Sequence, residues 1–322
     1  VRTRCKGSSE ALRARPGPSA SARAAGLAAA ADLHYRVART ASRLASHRSR
    51  LVGVALDVRS PFHAELAVAL EEAAAATGVD VVLATLTPSR TEADVVATLL
   101  DGRCEGLILL GSSRGARAIA DVAALVPAVV VGRRGVGDAI GVRADDAVGM
   151  AAAVDHLVGL GHRRLVHVEG PRGAIGAARR RGFLAAVARH HLDGVGGVGG
   201  VVVPGGDDEA AGLEAAAYLP AEATGVVTFN DRVAVGVREG LARLGRSVPH
   251  DVTLVGYDDS PLARLATQDL TSVSQDPPAL AAAAIGALEA RLGDAGSTVD
   301  GAWRDVVVRP RLVVRSSTMP PP

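Results

Sequence analysis

Cysteine is nearly absent from these 322 residues: only Cys5 and Cys104 occur. Two thiols can form neither a disulfide scaffold nor a four-cysteine zinc site, and their scarcity fits a reducing cytosol. Aromatic residues make up 2% of the chain, so no aromatic platform for single-stranded nucleic acid can be built. Lysine occurs once, at Lys6, which leaves arginine to carry the positive charge. No stretch approaches the roughly 18 uninterrupted apolar residues of a membrane span. The nine histidines show no metal-ligand spacing with cysteines or carboxylates, and no cofactor is expected.

What is present is an ordinary globular balance, 48% hydrophobic and 22% charged, over a length that suggests about two domains. Its charge is unevenly placed. Residues 1–50 hold eleven basic side chains against Glu10 and Asp32, a charge of +9; the whole chain carries +2, so the remainder carries −7. A basic arm on an acidic body is the footprint of a polyanion-binding appendage, although an arginine-rich solvated tail has the same composition. The basic excess stops where a strand pattern begins, which favours the appendage. The alanine run Ala24–Ala31 is followed by Asp32, His34 and Arg36 rather than by a cleavage site. It reads as an amphipathic helix, and the protein as cytoplasmic.

From Leu51 onward short apolar runs recur: Leu51–Leu56, Val81–Ala84, Gly106–Leu110, Ala128–Val131, Leu165–Val168, Val201–Val203, Gly225–Phe229 and Thr253–Tyr257. Between them lie helical stretches such as Pro61–Thr77, Glu92–Leu100, Asp146–Leu160, Ile175–His191 and Asp231–Leu244. This alternation predicts an α/β protein of two doubly wound parallel-sheet lobes, joined near Asp146–Leu160. Ligands of such sheets bind beyond the carboxyl ends of the strands. There the sequence sets Asp57, Ser60, Pro61 and Phe62, then Ser112-Ser113, Phe229-Asn230-Asp231 and Tyr257-Asp258-Asp259. Apolar rings beside fixed polar groups suit a small polyhydroxylated ligand. Asn230 and Asp231 also fit a simple helix cap, and Asp258-Asp259 a turn.

Two motifs point elsewhere. Gly111–Gly115 fits G-x-S-x-G, the nucleophile elbow of a hydrolase built on Ser113, but no histidine follows Asp258 to complete the expected order. Gly194–Gly199 fits G-x-G-x-x-G, yet it runs from helix to strand, the reverse of a dinucleotide fingerprint. His156, His162 and the pair His190-His191 read as structural. The chain is therefore not expected to be an enzyme.

A series of short motifs resembles the lac repressor family of bacterial transcription regulators along nearly the whole chain. They are Leu33-His34-Tyr35 with Ala41-Ser42-Arg43-Leu44, Ser60-Pro61-Phe62, Asp155-His156-Leu157 through Leu160-Gly161-His162-Arg163-Arg164, and Arg179 three residues before Gly182-Phe183. Phe229-Asn230-Asp231, Gly256-Tyr257-Asp258-Asp259, Leu270–Val273 with Gln275, and Leu312–Arg315 with Ser317-Thr318 complete it. The resemblance implies a clamshell core like that of periplasmic sugar-binding proteins. Its expected lobes are residues 51–146 with 276–309 and 147–275 with 310–318, preceded by a short helical N-terminal segment.

By the same likeness, Arg179, Asn230 and Asp258 are expected to hydrogen-bond a small-molecule effector, a carbohydrate, with Ser60, Phe62, Phe229 and Gln275 lining the cleft. Residues 36–50 would be a hinge ordered in the DNA minor groove, Leu44 wedging a base step and Arg36, Arg39, Arg43 and Arg48 contacting the operator, with Arg13 in the reading domain. A homodimer of repressors on double-stranded DNA is expected, away from any membrane. A stand-alone sugar sensor without operator recognition is the alternative, with the Ser113 hydrolase behind it.

Departures qualify the picture. Residues 1–35 read as a truncated helix-turn-helix remnant in which 9–35 resemble the latter part of the family's reading domain and Val1–Ser8 lack its base-reading pattern, so weakly sequence-selective, salt-sensitive DNA binding is expected. Val37 replaces the frequent hinge proline. Gly132-Arg133 stands where sugar-binding relatives often carry an acid, and Gly173 and Ile175 stand where purine-binding members carry polar contacts.

Overall fold

Strand β1 (Leu51–Leu56) is apolar throughout and buried beyond its first residue, as a strand covered by helices on both faces should be. The computed structural model describes residues 49–192, 200–293 and 305–322, together with Ser21 and Ala24. Residues 1–50 and 51–322 form separate units. The expected reading domain and hinge fall almost wholly outside the described residues, as do Arg13, Arg36, Arg39, Arg43, Leu44 and Arg48. So does the glycine motif at Gly194–Gly199.

In the second unit the chain runs from β1 through α1 (Pro61–Thr77), β2 (Asp80–Thr85), α2 (Glu92–Asp101), β3 (Gly106–Leu110), α3 (Ala116–Leu125), β4 (Ala128–Val131) and β5 (Ile140–Ala144). It then enters a second lobe as α4 (Asp146–Gly159), β6 (Leu165–Val168), α5 (Ala174–Arg189), β7 (Val201–Val203), α6 (Glu209–Ala215), β8 (Gly225–Thr228), α7 (Asp231–Arg243), β9 (Thr253–Asp258) and β10 (Thr271–Ser274). Helix α8 (Pro277–Gly293) and β11 (Val306–Val308) return to the first lobe, and β12 (Arg311–Val313) closes the second.

The first sheet has the order β11-β5-β4-β3-β1-β2, and the second β12-β10-β9-β8-β6-β7. Every pairing is parallel except β10 with β12. The chain thus crosses between lobes at Asp145, between Ser274 and Pro277, and between Val308 and Arg311. Helix α4 is not the join that its position in the sequence suggested. It packs on the second sheet through Met150, Val154 and Leu157 against Val255 and Val273, so the crossing precedes it.

Local chemistry sets the helix starts that face the cleft. Ser60 caps α1 by accepting from the His63 amide, with Pro61 in the first turn and Gly78 ending the helix at φ 71°. Thr91 and Asp94 form a reciprocal capping box at α2. Asp145 and Asn230 cap α4 and α7. Helix α8 fills the first core with Leu280, Ile285 and Leu288 against Phe62, Leu66 and Leu70 from α1.

Helices α6 and α7 cross at glycines. A Cβ on Gly236 would stand 2.0 Å from the Glu209 carbonyl oxygen, and one on Gly212 would stand 2.2 Å from that of Val233. Backbone cannot yield as a side chain can, so Gly236→Ala is expected to destabilise the second lobe by about 1–3 kcal/mol, read as a lower urea midpoint. A midpoint at or above that of the wild type would refute the close-crossing argument.

Candidate effector-binding cleft

The carboxyl ends of β1, β3 and β4 in the first lobe and of β6, β8 and β9 in the second open onto one cleft of about 290 Å³. That volume lies at the lower end of the roughly 300–1,000 Å³ of small-molecule sites. All seven residues singled out from the sequence as effector contacts line it: Ser60, Phe62, Arg179, Phe229, Asn230, Asp258 and Gln275.

Arg179 organises the second-lobe wall. Its side chain lies buried on α5, with Nε donating to Asp146 Oδ1 at 3.1 Å and Nη2 3.6 Å from Asp258 Oδ1. Nη1 donates to the Phe229 carbonyl. The guanidinium carbon sits 3.8 Å from the Tyr257 ring centroid and 4.7 Å from that of Phe229, both within cation–π range. Burial works against its charge, and Asp146 and Asp258 more than restore it. Tyr257 donates its hydroxyl to Asp146 at 3.0 Å. Gln275 Nε2 donates to Asp258 Oδ1 at 2.6 Å.

Asp258 itself takes φ 110° and Asp259 φ 51°, a region that non-glycine residues rarely occupy. Strain of this kind persists where surrounding bonds over-determine it. Here Asp231, the first residue of α7, accepts from Ser272 Oγ at 2.6 Å and from the Ser260 amide at 2.7 Å, while Arg315 pairs with Asp259 at 2.6 Å. Burial pushes the carboxyl of Asp258 above its ordinary value, against the pull of Arg179 and Gln275. Burial and the charge of Asp258 do the same to Asp231.

Asn230 has a double role. Its Oδ1 accepts from the Val233 amide as the α7 cap, and its Nδ2 donates to the Asp207 carbonyl. The capping alternative is therefore realised, in a residue that still borders the cleft.

The first-lobe wall holds two groups that sequence reasoning missed, His63 and Glu92, beside Asp57, Ser112 and Arg133, which it had noted. His63 receives the Asp57 amide on Nδ1 at 3.4 Å, which makes Nε2 the donor. Burial lowers its pKa to about 4, so the ring is a neutral N–H donor at neutral pH. Glu92 accepts the Ser112 hydroxyl at 2.6 Å. Arg133 Nη1 donates to the Arg114 carbonyl at 2.8 Å. Asp57 is engaged by Arg59 through two bonds of 3.0 and 2.7 Å. Across the lobes, Arg264 pairs with Glu65 at 2.8 Å.

The G-x-S-x-G loop does follow β3, but Ser113 is exposed and no described histidine hydrogen-bonds it. His156 and His162 fasten the C-terminal segment, through Thr318 and the Met319 carbonyl. Among the described residues no cluster of three metal-ligating side chains occurs, and no helix is long and apolar enough to cross a membrane.

Two α/β lobes joined by three crossings, with a buried arginine–carboxylate centre facing a cleft between them, define a protein of the periplasmic-binding type. The family model described as a periplasmic binding protein-like domain matches residues 154–318. The HTH-type transcriptional regulator MalR of Streptomyces coelicolor is 32% identical, over 98% of this chain and 93% of its own. A solved LacI transcriptional regulator from a Rhodococcus species is 41% identical with a TM-score of 0.78, covering 84% of this chain and 98% of that one. A LacI family transcriptional regulator from Enterococcus faecium, solved with bound ribose, is 25% identical with a TM-score of 0.72, covering 84% and 99%. The chain belongs to the lac repressor family of transcription regulators.

Proposed function

We propose that this regulator is a cytoplasmic homodimeric repressor whose affinity for operator DNA is set by a small sugar bound between its lobes. The observation that carries the sugar reading is the Arg179–Asp258–Gln275 centre beside the faces of Phe229 and Tyr257. A fixed carboxylate that accepts from ligand hydroxyls discriminates against analogues lacking them, because it would then be left unpaired. Ribose bound in the solved E. faecium relative supports the same ligand class. Ser60, Phe62 and Asn230 complete the proposed contacts.

A ligand gripped by both lobes binds best at one lobe angle, and only that differential affinity can move the DNA equilibrium. The basic segment 36–50, with Arg36, Arg39, Arg43, Leu44 and Arg48, is the proposed DNA-facing hinge, and Arg13 a further contact.

Fluorescence anisotropy of the full chain on promoter-region DNA, across a salt series and with or without D-ribose, D-glucose, maltose or cellobiose, tests this. Salt-sensitive binding is expected, and one of the sugars should shift the apparent Kd at least about tenfold, near 1.4 kcal/mol of coupling. Sugar binding by calorimetry without any DNA affinity would favour a stand-alone sensor.

A further inference from the structure

Glu92 is the first residue of α2, 9% exposed, and lines the cleft on the wall opposite Asp258. One of its oxygens accepts from the Ser112 hydroxyl at 2.6 Å. Among the described residues no basic side chain forms an ion pair with it. Arg133, on the same wall, spends its Nη1 on the carbonyls of Arg114 and Ser112 instead. A carboxylate has about four acceptor sites, and one hydroxyl donor leaves most of them open. Glu92 thus keeps acceptor capacity on the wall of the cleft, where a ligand hydroxyl can donate to it.

We propose that Glu92 is a specificity determinant of the cleft. With Asp258 it would hold an uncharged polyol between carboxylates of both lobes, and its charge would reject sugars that carry a phosphate or carboxylate. This rests on the sugar reading above and extends it to the charge class of the effector. A ligand hydroxyl pair donates into Glu92, an anionic substituent meets like charge there, and Arg179 offers no relief because Asp146 and Asp258 already neutralise it.

Calorimetry of the full chain at pH 7 would compare D-ribose, D-glucose, maltose and cellobiose with D-ribose 5-phosphate, D-glucose 6-phosphate and D-glucuronate. The wild type is expected to bind a neutral sugar and to prefer it over its charged counterpart. Glu92→Gln should weaken the neutral sugar about tenfold or more and narrow that preference, since a charged acceptor is lost. Glu92→Asp keeps the charge at a shorter reach, so it should weaken the neutral sugar while still rejecting the charged ones. It also serves if the glutamine variant fails to fold. A wild type that prefers an anionic sugar overturns the proposal. So do variants whose neutral affinity and preference match the wild type. If the wild type binds none of these sugars, the sugar reading falls first and this inference with it.

Discussion

Arg179→Met is expected to abolish sugar binding and to lower folding stability by about 3–5 kcal/mol, the usual cost of stripping one partner from a buried ionic cluster. The methionine retains much of the apolar bulk between Tyr257 and Phe229, so the loss is of charge rather than of volume. Asp146 would keep only the Tyr257 hydroxyl, and Asp258 only the Gln275 amide. The Phe229 carbonyl would lose its donor. The loss carries a pH signature. Without the arginine the Asp258 carboxyl, already raised by burial, rises further. A carboxyl raised in the folded state binds more protons there than in the unfolded chain, so its stability contribution is lost as pH rises. The deficit against wild type should therefore be larger at pH 7 than at pH 5. Urea titrations at both values check it. Arg179→Lys should fall between, because a point charge on a flexible stem cannot both stack on Tyr257 and reach Asp146 and Phe229 together. A methionine variant of near wild-type stability that still binds sugar would remove Arg179 from the centre of the site.

The contrast between strands shows why parts of the fold were legible and others were not. Leu51–Leu56, Gly106–Leu110 and Ala128–Val131 read as strands because both faces are covered, and an unbroken apolar run is the result. Strand β10 is Thr-Ser-Val-Ser and is equally buried, but its hydroxyls are satisfied by partners distant in sequence: Ser272 by Asp231, and Thr271 by Arg315 and Thr318. Composition cannot show such pairing in advance. Strand β5 is broken by Gly141 and Arg143, and α6 is only seven residues long.

The site divides in the same way. Its second-lobe residues Phe229, Asn230 and Asp258 sit at strand exits, where topology concentrates ligand chemistry, while Arg179 lies on α5. Glu92 and Asp146 instead open helices, and Asp231 does likewise. An acid in a first turn is ordinarily a surface complement to the helix dipole. These three are 9%, 6% and 1% exposed, and only the packed fold distinguishes them from ordinary helix starts.

His167 provides the second large effect, an acid sensitivity in the core of the second lobe. The ring is fully buried in β6 and stacks on Phe183 with centroids 5.3 Å apart. Its Nδ1 donates to the Val227 carbonyl at 2.9 Å, while Nε2 has no partner. Protonation would place an N–H at Nε2 with nothing to accept it. Burial accordingly lowers its pKa to about 4 from an ordinary value of 6.5. Between those values the unfolded chain binds the proton and the folded chain does not, so stability falls as pH is lowered through that window. At roughly 1.4 kcal/mol per pH unit the full loss is about 3 kcal/mol. Asp231 and Asp258, with raised carboxyls, act in the opposite direction, so the wild-type profile alone would mix the two. The difference between wild type and His167→Leu separates them, because the carboxylates are common to both proteins. Relative to the leucine variant, the wild type should lose about 3 kcal/mol between pH 7 and pH 4, read from urea midpoints at half-unit intervals. A difference that stays flat with pH would mean that His167 is protonated inside the fold, and that Nε2 finds an acceptor there.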